Sequence, residues 1–182
     1  MARTLRLTAR ATGALLAVVA LPSTVAACGG SSPAGTQAVG GAGQPQGFGL
    51  VAAEVTAADG EVCQLCLWLA ETAEQRSRGL MGVTDLGPAD GMLFRYASPS
   101  TGTYWMRDTP MPLSIAFFAD GTFVSSADMT PCLGDAVTGC PRYPAAGPFT
   151  AAVEVPTGQL AELGIAAGSQ LEVLDTPCPA EE

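Results

Sequence analysis

Residues 113–129, LSIAFFADGTFVSSADM, decide the fold. Leu113 to Phe118 is an almost wholly apolar run, Asp120-Gly121 follows it, and Thr122 to Met129 interleaves polar with apolar residues. A two-residue hairpin turn needs positive φ at its central positions, and Asp-Gly supplies it with little steric cost. The stretch therefore predicts two adjacent antiparallel strands, at 113–118 and 122–129. Outward from this hairpin, 48–56 and 61–70 lie on either side of a second turn signal, Asp59-Gly60, and read as another strand pair. Segments 91–96, 101–106, 150–155 and 170–174 have the same extended pattern. Two short helices are predicted. One spans 71–78, with Thr72 as N-cap and Gly79 as its stop; the other spans 157–163 and ends at Gly164. No long strand–helix alternation of the parallel-sheet kind is present, and no internal repeat. The expected class is α+β, a mainly antiparallel, barrel-like sheet with two short helices.

The N-terminal segment reads as an address. Arg3, Arg6 and Arg10 stand in a stretch without acidic residues, before an apolar run from Ala11 to Leu21. That run, about 11 residues long, is far short of the roughly 20 needed to span a bilayer. Charge, short apolar core and a small-residue exit form the pattern of a signal peptide. The exit, Val25-Ala26-Ala27-Cys28, resembles a lipobox, which implies cleavage before Cys28 and a diacylglyceryl group on its thiol. An ordinary secretory signal cut after Ala27 is the plainer alternative. Residues 29–46, GGSSPAGTQAVGGAGQPQ, carry no charge and little apolar bulk, so they read as a tether reaching roughly 20–25 Å. The expected organisation is a signal peptide at 1–27, a lipidated Cys28 with its tether to 46, one globular domain at 47–175 and a tail at 176–182. The expected location is extracytoplasmic, with Cys28 the link to the membrane.

Composition excludes much. The chain has no His and no Lys. Ser–His–Asp and Cys–His nucleophile systems, His-based zinc sites, phosphate-loop lysines and Schiff-base lysines are therefore all ruled out. Beyond Cys28, five arginines face 17 acidic residues, a balance of about −12. Such a surface is a poor partner for nucleic acid or anionic lipid. No cofactor is expected.

Cysteine usage fits an oxidising compartment. Cys132 and Cys140 bracket a polar loop and are the favoured disulfide pair. Cys63 and Cys66 form a C-x-x-C, but within VCQLCLWL, a strand, where positions i and i+3 point to opposite faces. A redox motif instead belongs at a helix N-terminus, whose dipole lowers the thiol pKa. The expectation is that one of the two bridges to Cys178 and pins the tail, with the other left as a buried thiol.

Three constellations bear on chemistry. The first is polar: Arg78, Arg107, Asp108, Thr109 and Glu154. Alternation sets Glu154 on the opposite face from Val153 and Val155, where it can meet Arg78 as a bidentate pair. That pair either stabilises the fold or, with Trp105, Asp108 and Thr109, lines a pocket for a small polar ligand. A third reading takes Asp108 and Glu154 as the acid and base of a hydrolase, which requires their carboxyls about 5–9.5 Å apart across one cleft. The second constellation is Met81, Met92, Met106, Met111 and Met129 beside Trp105. Thioethers suit Cu(I), yet methionine is also a common core filler. The third, Asp120, Asp128 and Asp135, lacks calcium-loop spacing.

Several phrases fall in a fixed order: Arg78-Gly79-Leu80-Met81, Gly91-Met92-Leu93-Phe94, Trp105-Met106-Arg107-Asp108-Thr109 and Met111-Pro112-Leu113. Cys140-Pro141, Val153-Glu154-Val155, Gly158 and Leu163-Gly164 come after them. Together they resemble the bacterial and archaeal family known as domain of unknown function 192, or uncharacterised protein family 0127, from about Leu65 to Leu174. The resemblance implies a compact, mainly-β domain, often exported or lipid-anchored, with no established activity. The chain departs from the family pattern at Asp108, commonly Asn, and at Ser114, commonly Asp. The leading expectation is a non-catalytic module binding a small molecule or an envelope protein; the alternatives are a carboxylate-based hydrolase and an extracytoplasmic copper-handling protein.

Overall fold

The computed structural model describes residues 43–134 and 139–178. The expected signal peptide, Cys28 and most of the tether lie outside the described residues. Nine strands and two short helices are present among them, in the order β1 (Gly49–Thr56), β2 (Val62–Ala70), α1 (Ala73–Arg78), β3 (Gly91–Ser100), β4 (Thr103–Tyr104), β5 (Leu113–Ala119), β6 (Thr122–Met129), β7 (Tyr143–Pro144), β8 (Phe149–Pro156), α2 (Gln159–Glu162) and β9 (Gln170–Val173).

Seven strands close on themselves as a small barrel in the order β1-β2-β3-β8-β5-β6-β9, with β9 returning to β1. The expected hairpin is β5–β6, and Asp120 and Gly121 both have positive φ, 47° and 82°. The expected pairing of the first two strands is β1–β2. One pair departs from the antiparallel expectation. Strands β2 and β3 run parallel because the segment between them, which carries α1, crosses from one end of the sheet to the other. The sheet is therefore mixed. Helix α1 begins as expected, with Thr72 and Gln75 forming a reciprocal capping box, and it stops at Gly79 (φ 49°). The strand expected at 101–106 is only two residues long, and it pairs with β7, a strand with no local sequence signal.

Two apolar clusters lie on opposite faces of the barrel wall. Val55, Leu67, Leu93, Phe118, Val153, Val155 and Leu171 come from strands all around the ring, so their cluster fills the barrel interior. Trp68, Met92, Phe94, Met106, Leu113, Ile115, Phe117, Met129 and Phe149 form the second cluster on the outer face of β2, β3, β8, β5 and β6. Segments 80–89 and 104–109 cover that outer face with Leu80, Val83, Ala89, Tyr104 and Met106. The two covers are joined by a hydrogen bond from Gly82 N to Asp108 O of 2.8 Å.

Cys132 and Cys140 are bridged as expected. Cys66 is bridged to Cys178, which holds the tail against β1, where Ala52 N donates to Thr176 O. Cys63 lies in the interior cluster while Cys66 reaches the outside, the opposite facing that strand geometry demands. Cys63 is itself disulfide-bonded, and no described cysteine is a free thiol. That corrects the expectation of a buried thiol. The end of the predicted tether is also bound to the domain: Gly43 O accepts from Thr84 N, and Gln46 O accepts from Arg78.

Candidate functional site

Glu154 holds the central position of the outer face. Its partners across the sheet are Met92 on β3 and Ile115 on β5, and the row continues to Trp68 on β2 and Ala127 on β6. Strand alternation turns its neighbours Val153 and Val155 into the barrel, as the sequence predicts. Close approach of β3 to β8 makes the row possible, because Gly91 lacks a Cβ that would otherwise stand 2.0 Å from Glu154 O. Glu154 is 5% exposed. Burial among apolar side chains pushes its carboxyl up to about 8, so it is mainly protonated at neutral pH.

No ion pair involves Glu154 among the described residues. The expected pairing with Arg78 is not formed. Arg78 lies instead at the exposed end of α1, stacks over Phe48 at 4.5 Å and donates to Gln46 O. The covering segment explains this. With 43–46 laid against residues 75–85, the guanidinium finds its acceptor locally.

The remaining candidates form a second, surface group. Trp105 is half-buried, with the Arg142 guanidinium 3.9 Å and the Arg107 guanidinium 5.7 Å from its ring. Arg107 pairs with Asp108 at 3.2 Å, both half-exposed. Asp108 adopts positive φ (51°) and is held by its backbone, donating to Cys132 O and accepting from Gly82 N. Asn and Asp tolerate that left-handed conformation better than other non-glycine residues, a physical reason for either at this position. Thr109 is buried, and its hydroxyl donates to Arg107 O at 3.2 Å. Trp105, Arg107, Asp108 and Thr109 thus belong to one turn stapled to the Cys132–Cys140 bridge. Arg78 and Glu154 are separate from them.

Two polar features had no local sequence signal. The hydroxyls of Tyr96 and Tyr104 share a hydrogen bond of 2.9 Å, and burial followed by that neighbour holds Tyr104 well above the ordinary tyrosine range. Arg95 pairs with Glu71 at 2.8 Å and with Asp175, which raises its already high pKa. The Arg95 pairs join residues 24 and 80 positions apart. A shallow depression of about 470 Å³ beside Arg95, Tyr96, Asp120, Thr150 and Glu172 contains none of the five candidate residues. Among the described residues, no group of three His, Cys, Asp or Glu can hold a metal ion.

A closed β-barrel with a lidded outer face and one carboxyl inside that lidded cluster is the class of domain this chain represents. The family model DUF192, described as an uncharacterized ACR, matches residues 54–173, and the chain belongs to that family. Two solved structures are similar over most of their length. A protein of unknown function from Novosphingobium aromaticivorans DSM 12444 is 32% identical, with a TM-score of 0.60 over 79% of this chain and 99% of its own. A protein from Sinorhizobium meliloti 1021, described as a proposed transcription regulator, is 26% identical, with a TM-score of 0.61 over 69% of this chain and 95% of its own. No curated protein matches.

Proposed function

We propose that this chain is a non-catalytic binding module of the cell envelope, held at the membrane surface by a lipid on Cys28. The observation that carries the binding reading is Glu154, a carboxyl buried in the outer cluster with no ion-pair partner among the described residues. Burying an ionisable group without a partner costs several kcal/mol by general estimate, unless it stays protonated or a ligand completes it. A fold-stabilising ion pair with Arg78 would have explained Glu154 without a ligand, and that pair is not formed. The hydrolase reading is less well supported, because Asp108 is half-exposed and paired with Arg107 while Glu154 lies under the cover. The regulator description of the Sinorhizobium meliloti protein is not extended to this chain, whose acidic surface repels nucleic acid.

The test is a pair of mass spectra, native and denaturing, of the full chain expressed with its own N-terminus and extracted from membranes. A diacylglyceryl mass on Cys28 is expected, together with a discrete non-covalent adduct that Glu154→Gln removes. A lipid on Cys28 leaves five thiols, so the lipidated chain holds at most two bridges and its Cys63 is reduced, unlike the bonded Cys63 described above. Three bridges and no lipid would overturn the anchor, and a bare native mass would overturn the binding module.

A further inference from the structure

We propose that the outward side of the β4–β7 ladder is a membrane-docking face, on which Trp105, Arg107, Leu133 and Arg142 meet the headgroups of an anionic bilayer. This rests on the reading of Cys28 as a lipid anchor and adds the orientation in which the anchored domain is held.

Strand register builds the face. Tyr104 pairs with Tyr143 across β4 and β7, and both pack inward against the outer cluster. The positions that follow on the two strands, Trp105 and Arg142, turn the other way by alternation. The Arg142 guanidinium accordingly lies 3.9 Å from the Trp105 ring, and that of Arg107 lies 5.7 Å from it. Two cations sharing one half-buried indole stand within roughly 10 Å of each other. Cys132 N donates to Met106 O at 3.1 Å and Cys132 O accepts from Asp108 N at 2.9 Å, which brings Leu133 beside the same turn. Leu133 is 61% exposed, the large apolar side chain that burial leaves out among the described residues. Tryptophan settles at the boundary of water and lipid, and arginine buries its stem while its charge stays among the headgroups. An exposed leucine gains by leaving water for the acyl region.

Charge separates this face from the rest of the surface. Residues 96–107, 129–134 and 139–149 contain no Asp or Glu, in a chain that has 17. Asp108 borders them and is paired with Arg107 at 3.2 Å. Beyond Cys28, Arg76 is committed to the Glu71 and Arg95 carbonyls, Arg78 to Gln46, Arg95 to Glu71 and Asp175, and Arg107 to Asp108. Arg142 has no carboxylate or carbonyl acceptor among the described residues; it is exposed and held in place by its stack on Trp105. Anionic lipid repels the acidic remainder of the surface, so the field of the bilayer turns this face toward it.

The attachment point agrees. Gly43 O accepts from Thr84 N at 3.0 Å, and in the same covering segment Gly82 N donates to Asp108 O at 2.8 Å. The described end of the predicted tether is therefore bonded to the cover whose other half carries Trp105. A lipid on Cys28 draws the domain to the bilayer from this side. Tethering also keeps the local concentration of lipid high, so a small face suffices although the surface as a whole is acidic.

The test uses the full chain, expressed with its own N-terminus, extracted from membranes and reconstituted into vesicles of dibrominated phosphatidylcholine with about one-third phosphatidylglycerol. Bromine quenches indole emission only at close range, and the chain has two tryptophans. Trp68 is 2% exposed and bonded to Leu86 O, so Trp105 is the reporter. Its emission should fall at least about twofold relative to unbrominated vesicles. Arg142→Gln and Leu133→Ser should each restore at least about half of the lost emission while the circular dichroism melt stays unchanged. Trp105→Phe should leave an emission that bromine does not quench. Retention on the vesicles with Trp105 unquenched, or quenching that neither substitution reduces, overturns the docking face and leaves the anchor standing. A chain that washes off the vesicles overturns the anchor, and the docking face falls with it. If bromolipid leaves Trp105 unquenched while soluble polyglutamate shifts its emission, the face takes an acidic protein and not a bilayer.

Discussion

Glu154 on β8 stands directly across from Met92 on β3, a carboxyl set into a row that is otherwise Trp68, Met92, Ile115 and Ala127 across four further strands. The row is continuous because the backbones of β3 and β8 approach closely at Gly91.

Stability should fall as pH rises. Glu154 is raised from an ordinary 4.5 to about 8, so the folded chain holds a proton that the unfolded chain releases across that interval. The stability tied to that proton is complete below about pH 4.5 and lost as pH climbs through about 8, on the order of 5 kcal/mol over the whole range. Urea unfolding at pH 5 and pH 8.5 measures it. Glu154→Gln should flatten this dependence; an unchanged slope would show that other groups cause it.

Gly91→Ala should be among the most damaging single-methyl changes in the barrel. The added Cβ would stand 2.0 Å from Glu154 O and 3.0 Å from Val155 Cγ1, and both belong to a paired strand that cannot move aside. A loss of about 3 kcal/mol or more is expected from thermal unfolding. Gly49→Ala, with nothing within 4 Å of its Cβ, is the control and should be near neutral.

The two assigned disulfides should differ in worth. Cys66–Cys178 closes a separation of 112 residues and straps the tail across β1, while Cys132–Cys140 closes 8. By loop-closure entropy the longer bridge contributes about 2 kcal/mol more. Replacing both cysteines of each pair by serine and comparing denaturant midpoints tests this. Equal losses would mean that native-state contacts, and not the constraint on the unfolded chain, set the values.

Much of the barrel wall was legible because its signals are local. Asp120-Gly121 announces its turn through backbone sterics alone, and Thr72 with Gln75 caps α1 within four residues. Alternation along Val153-Glu154-Val155 places the glutamate opposite the valines whatever the sheet's topology. The parallel β2–β3 pair escaped notice because its crossover is mostly irregular, with a helix of only six residues. β7 escaped because a two-residue strand has no periodicity.

The candidate site divides along the same line. Sequence by itself determined the residue chemistry: no histidine, no lysine, an acidic surface, thioethers in quantity and one glutamate between valines on a strand. It also carried the family phrases that the match over 54–173 bears out. Tertiary structure alone decided who meets whom. Arg78 bonds Gln46 and not Glu154; Asp108 pairs with its neighbour Arg107; Arg142 travels from beyond a disulfide loop to lie over Trp105; and Met92 comes to face Glu154. Turns and alternation are set by backbone sterics within a few residues. Side-chain partnership depends on barrel closure and strand register, which bring together residues tens of positions apart and have no local trace in the chain.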